Sequence, residues 1–230
     1  MNKHHRNTIA ILIGLAVWAG FSHAGTSSAR IISGTSDGAG AASAGSGAPD
    51  VRRYHIDAGQ SEFMVHAFVG GLLSGFGHNH NIAIKVISGE TEFTDGTVAP
   101  ASLRLRIRAD SLKVTDKVSD SDRQTIEKTM REQVLDTGKY PDITFNSTKI
   151  EATKNPDGQY QAKIWGDLTL HGVTHNVLIN AQLTFDNKSV RARGEFSLKM
   201  TDYSIKPPSV AGGTITVKDT LKFNFNILSQ

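Results

Sequence analysis

His78 and His80 stand two residues apart at the head of the run Ile82, Ile84 and Val86. On a strand, a period of two puts all five side chains on one face. His-x-His is a metal-ligand spacing, and an imidazole also donates and accepts hydrogen bonds near neutral pH. A metal needs a third ligand, for which His66, His171 and His175 are the candidates. Without one, the pair reads as hydrogen-bonded residues at the rim of a sheet, looking in. The segment before them, Gly70-Gly71-Leu72-Leu73-Ser74-Gly75-Phe76-Gly77, is glycine-rich and partly apolar, suited to a flap over an entrance.

Other chemistry is sparse. There is no Gly-x-Ser-x-Gly elbow, no His-Glu-x-x-His, no phosphate loop and no dinucleotide fingerprint. With no cysteine in 230 residues, disulfides and thiolate chemistry are excluded, so any metal site must come from His, Asp and Glu. Asp116, Asp120 and Asp122 alternate with Lys117 and Arg123 without the spacing or glycine of a calcium loop, and read as solvated groups at a helix start. His171 and His175 bracket Gly172-Val173-Thr174, a turn or bulge at which each imidazole is expected to be solvated.

The elements that must position these residues are mostly strands. Leu103, Leu105 and Ile107 alternate with Arg104, Arg106 and Arg108, a sorting that a helix would scramble. The same parity puts Ile164, Leu168 and Leu170 inward, then Val177, Ile179, Ala181 and Leu183, then Val190, Ala192, Phe196 and Leu198. In the last run Leu221, Phe223, Phe225 and Ile227 oppose Lys222, Asn224 and Asn226. About eight such runs are separated by turn signals such as Asp95-Gly96, Asn155-Pro156-Asp157-Gly158 and Asp186-Asn187. Strands with one apolar face must close into a barrel or stack as two sheets, and an eight-stranded barrel is just wide enough for a slender ligand.

One segment breaks the alternation. Ser121 to Val134 carries Ile126, Met130 and Val134 at i, i+4 and i+8, with Ser121 or Asp122 as cap, and predicts an amphipathic helix. It reads as a crossover packed on the barrel, or else as a lid over its mouth. Trp165 has the opposite parity from Ile164 and is expected outside, under that helix.

The ends set the context. Met1 to Arg6 is basic and Thr8 to Phe21 mostly apolar, with small residues at Ser22-His23-Ala24, so residues 1–24 are expected to be a signal peptide cut after Ala24. The apolar run is shorter than the roughly 20 residues of a membrane span. Residues 25–50, rich in Gly, Ala and Ser, read as a flexible linker, and 51–230 as one domain. Removing residues 1–24 leaves 23 basic against 22 acidic residues, so nothing argues for a nucleic-acid partner.

Two segments carry a resemblance. Gly166-Asp167-Leu168-Thr169 with Gly172-Val173-Thr174, and Tyr140-Pro141-Asp142-Ile143-Thr144-Phe145 upstream, resemble the paired signature of the YceI-like family. Tyr54-His55-Ile56-Asp57 followed by Ser61 is similar to that family's opening strand, and the likeness covers residues 54–228. The chain departs from the usual pattern at Gln60 and at Arg123-Gln124-Thr125-Ile126-Glu127, and has a longer glycine-rich loop before His78. The resemblance implies an all-β, extended, lipocalin-like antiparallel barrel with one helix, exported to the periplasm, and an apolar tunnel for isoprenoid chains of quinone or prenyl-phosphate type. It adds headgroup contact to the readings of His78 and His80.

On both grounds the domain is expected to be a non-enzymatic carrier of one long-chain amphiphilic lipid, without cofactor. Self-association as a homodimer stays open. The tunnel is expected to be lined by Phe63, Val65, Ile82, Ile84, Leu105, Phe145, Leu168, Phe196, Phe223 and Phe225, with Phe76, His78 and His80 at its mouth. The alternatives are a histidine-based metal-dependent enzyme and a structural barrel packed full of side chains.

Overall fold

The computed structural model describes residues 51–94, 98, 101–186 and 188–230. The expected signal peptide and linker, and the turn at Asp95-Gly96 and Asn187, lie outside the described residues.

The alternating runs form strands β1 (Val51–His55), β2 (Glu62–Ala67), β3 (Val69–Gly70), β4 (His80–Ile84), β5 (Ile87–Thr94), β6 (Ala101–Arg108) and β7 (Leu112–Val114). After the helix come β8 (Asp142–Lys154), β9 (Tyr160–Leu170), β10 (Val173–Asp186), β11 (Ser189–Lys199), β12 (Ser209–Val210), β13 (Ile215–Val217) and β14 (Thr220–Ser229). Eleven of them make one antiparallel sheet in the order β1-β5-β6-β8-β9-β10-β11-β14-β2-β4-β7.

Several of these strands are halves of longer, bent segments. The ladder from β1 to β5 pairs Val51 with Thr94 and His55 with Glu90, and β2 resumes it on β4, pairing Met64 with Ala83 and Ala67 with His80. Likewise β6 pairs with β5 and β7 with β4, on either side of bends at residues 85–86 and 109–111. Taken as continuous segments, β1 with β2, β4 with β5 and β6 with β7 join β8, β9, β10, β11 and β14 to make eight. The eighth closes on the first. β14 pairs with β2, Ile56 bridges Ser229, and His55 and Gln230 exchange backbone hydrogen bonds of 2.9 Å. The eight expected runs are thus present as an all-β, lipocalin-like antiparallel barrel, and the sequence parity is its inside and outside. Leu105, Ile164, Leu168, Ile179, Phe196 and Phe225 all face the interior.

The helix α1 spans Asp120–Thr129 and runs into a π turn at Met130–Val134, where the Leu135 N–H donates to the Met130 carbonyl at 2.9 Å. Its cap is Ser119, which accepts from the Asp122 N–H, and not Ser121 or Asp122 as the spacing suggested. Two anchors hold it to β7. The buried Glu127 accepts from the Val114 N–H (3.1 Å) and Lys113 Nζ (2.8 Å), and Arg123 donates to the carbonyls of Val114 and Asp116. Burial works against ionising Glu127, yet the Lys113 hydrogen bond, the Val114 N–H and the charges of Lys113 and Arg131 outweigh it and hold the carboxyl below its ordinary range. Trp165 is outside, as expected, but not under the helix. It stands between its register partners Lys149 and Leu178, with Lys149 Nζ 5.1 Å from its ring centroid.

Candidate functional site

The two segments that carry the resemblance are neighbours in the barrel wall. Thr144, Phe145, Asn146 and Ser147 on β8 face Thr169, Leu168, Asp167 and Gly166 on β9. Gly166 lets the Phe145 ring lie across its backbone, since a β-carbon there would meet Phe145 Cζ at 2.3 Å. After Leu170 the chain turns through His171 and Gly172, with φ of 52° and 75°, the positive values that two-residue hairpins need. Tyr140 covers that turn, its ring 4.4 Å from the His171 imidazole and close against Gly172.

Behind this wall runs a cavity of about 160 Å³. Its lining extends along β14 from Leu221 to Ser229, eight residue steps, or roughly 26 Å at the rise of a strand. On a measure by which one water needs roughly 10–15 Å³, this is room for a slender chain on the order of ten methylene-sized groups. Midway, Phe63 makes edge contacts with Phe196, Phe223 and Phe225 at 6.0–6.3 Å, and Phe196 stacks on Phe223 at 4.7 Å. Among the described residues no charged side chain lines the space; Thr91, Thr144 and Ser229 are its polar members. Thr91 is committed already, donating to the Ser102 carbonyl at 2.9 Å. The π turn contributes Val134 and Leu135, so the segment that follows the helix forms part of one end wall.

Of the residues expected along a tunnel, the cavity brings together Phe63, Val65, Ile84, Leu105, Phe145, Leu168, Phe196, Phe223 and Phe225. Ile82 does not join them. It is buried in the wall between its partners Val65 and Val114. The side chain of Phe76 lies outside the described residues. Alternation alone missed Val134, Leu135, Met200 and Ile205, which come from turns and have no period of two.

Of the readings of the histidine pair, the hydrogen-bonded one holds for His80. Neither His78 nor His80 lines the cavity; His78 is exposed, and His80 Nδ1 meets Asp116 Oδ2 at 2.9 Å. Asp116 is therefore no solvated cap. It also accepts from the Asn81 N–H at 3.0 Å and from the Asn81 amide at 2.9 Å. Burial raises its pKa, but these donors more than offset it and keep the carboxyl below its usual range. The Asn81 amide points its nitrogen at Asp116, so its oxygen accepts from His66 Nδ1 at 2.7 Å, and His66 Nε2 meets Asn224 Oδ1. This chain of polar groups ties β14, β2 and β4 to the loop before α1.

His175 is exposed, as expected, and His171 is half-buried. His171 Nδ1 is buried without a hydrogen-bond partner, and His175 Nε2 donates to the Asp202 carbonyl at 2.8 Å beside the buried ring of Tyr203. Each histidine that was a candidate third ligand thus has its own neighbours. Among the described residues no three His, Asp or Glu side chains gather in a metal-binding group.

Comparison with known proteins agrees with this architecture. The family model described as the YceI-like domain matches residues 54–228. A UPF0312 protein of Pseudomonas syringae pv. tomato is 28% identical over 168 residues, covering 68% of this chain and 80% of its own length. Another, from Pseudomonas fluorescens, is 33% identical over 125 residues, or 54% of this chain and 60% of that protein. Among solved structures, Burkholderia cenocepacia BcnA matches with a TM-score of 0.57 at 17% identity, over 76% of this chain and 99% of BcnA. A polyisoprenoid binding domain from Saccharophagus degradans, implicated in plant cell wall breakdown, matches with a TM-score of 0.55 at 14% identity, over 77% and 97%. At such identities these two speak for the fold alone. The family match spans most of the chain, both signature segments pair within one wall, and the barrel closes as the resemblance implied: the chain belongs to the YceI-like domain family.

Proposed function

We propose that this protein binds one long-chain amphiphile of isoprenoid type and serves as its carrier or store, without catalysing its conversion. The observation that carries the reading is the uncharged, aromatic-waisted cavity along the barrel. Burying each methylene of a chain contributes about 0.8 kcal/mol before ordering costs, so two or three isoprene units supply useful affinity with no specific polar contact. A charged headgroup has no partner among the lining residues and belongs outside the mouth. The name of the Saccharophagus degradans neighbour supports the isoprenoid class.

We further propose that the chain acts after export, supported by the basic and apolar pattern of residues 1–24. Native mass spectrometry of gently purified protein tests both readings. The expected spectrum has a mature mass beginning at Gly25 and a single lipid adduct, or a one-to-one adduct on adding a prenyl alcohol. Protein that stays unliganded in both preparations contradicts the carrier, and a mass retaining residues 1–24 contradicts the export.

A further inference from the structure

Outside the barrel, β3, β12 and β13 make a small sheet of their own. It joins two excursions from one end of the barrel, residues 68–79 and 204–218. Their backbones are tied together, Lys218 N–H donating to the Phe68 carbonyl at 2.7 Å and Leu73 N–H to the Thr214 carbonyl at 2.9 Å, and within the first the Val69 N–H donates to the Asn79 side-chain oxygen at 2.9 Å. On this platform Leu72 is 88% exposed and Leu73 41% exposed. Folding does not bury them, although the platform holds them in place.

The charge within the two excursions has one sign. Neither excursion contains an Asp or Glu, while Lys206 and Lys218 are exposed and Lys222 stands beside Phe68, its Nζ 5.8 Å from the ring centroid. Among the described residues none of these three lysines pairs with a carboxylate. Of the acids nearest in sequence, Asp219 accepts from the Thr201 N–H and hydroxyl, and Asp202 stands exposed just before the second excursion, outnumbered by the lysines around it. The same end of the barrel places Met200, Ile205 and Leu221 in the cavity lining, next in sequence to this platform.

From this juxtaposition we infer that the Leu72-Leu73 tip, with its collar of Lys206, Lys218 and Lys222, docks on an anionic lipid bilayer surface. Two solvent-held leucines suit the acyl boundary, and unpaired lysines suit the phosphates above it. The inference goes beyond the carrier reading and stands without it, because it concerns the outer surface and asks nothing of the cavity.

The absence of cysteine makes a local test clean. An environment-sensitive fluorophore is attached to Gly75→Cys, an open position beside the leucines, and in a separate sample to Thr153→Cys near the opposite end of the barrel. The readout must be local, because the apolar run of residues 8–21 in the full chain has membrane affinity of its own. With vesicles containing phosphatidylglycerol, the label at 75 is expected to shift to the blue and the label at 153 to stay put. Leu72→Ser with Leu73→Ser should abolish the shift. Lys206→Gln with Lys218→Gln should raise the lipid concentration for half-maximal shift about tenfold or more, at about fivefold per lysine. A label at 75 that stays wet on anionic vesicles, or shifts equally on purely zwitterionic ones, overturns the inference. So does a shift that appears without vesicles as protein concentration rises, which would assign the tip to a second copy of the chain.

Discussion

Leu168 is a buried wall residue, the register partner of Phe145 and part of the cavity lining. Leu168→Asp leaves an uncompensated carboxylate there, and is expected to cost roughly 3–5 kcal/mol or to prevent folding. Arg106, of the opposite parity, reaches Asp142 at 2.7 Å from a largely exposed side chain, so Arg106→Ala should be nearly silent. Urea midpoints of the two variants decide it, and equal tolerance contradicts the inside-outside assignment. At this scale the sequence was legible wherever a side chain's role follows from strand parity. It was opaque for His80, because the group that captures it, Asp116, is 36 residues away and enters by a loop. Parity gives a face and says nothing of what a loop brings to it. The same holds for His175, whose partner is a backbone carbonyl of a short turn after β11.

The helix was legible as an element from its apolar spacing, and its boundaries were not. Ser119 rather than Ser121 caps the helix, accepting from the Asp122 N–H, and the last expected turn is a π turn that swings Val134 and Leu135 into the cavity wall. What fastens α1 to β7 is Glu127, an acid beside the apolar stripe, at i, i+3 and i+7 with Met130 and Val134, which the fold buries. Because its folded pKa lies below the ordinary glutamate value of 4.5, its contribution is fully present above that pH and is lost as pH falls through the folded value. Wild type should therefore melt higher than Glu127→Gln at pH 7, and the gap should narrow below about pH 4.5. Thermal melts of both proteins from pH 7 to 3 check this; a gap that is constant or widens on acidification contradicts the assignment. Strand halves were the other hidden feature. The bends at 85–86 and 109–111 interrupt the alternation, and only pairing between distant residues shows that the ladders continue across them.

For the whole molecule, eight alternating runs already required a closed or stacked sheet, and closure through β14 and β2 removes the exposed edges. The size of the interior was not legible, since it depends on how fully side chains from opposite walls meet. The central claim, that this interior takes one apolar chain, is tested most directly by titrating prenyl alcohols of increasing length into delipidated protein and into Ala192→Trp. Ala192 is a small residue in the lining, and an indole there occupies the space a chain needs. Calorimetry should give one site in the wild type, affinity rising with chain length until the cavity is filled, and at least tenfold weaker binding to a variant whose circular dichroism and melting are unchanged. No binding by the wild type, or equal affinity for the plugged and open barrels, contradicts the account.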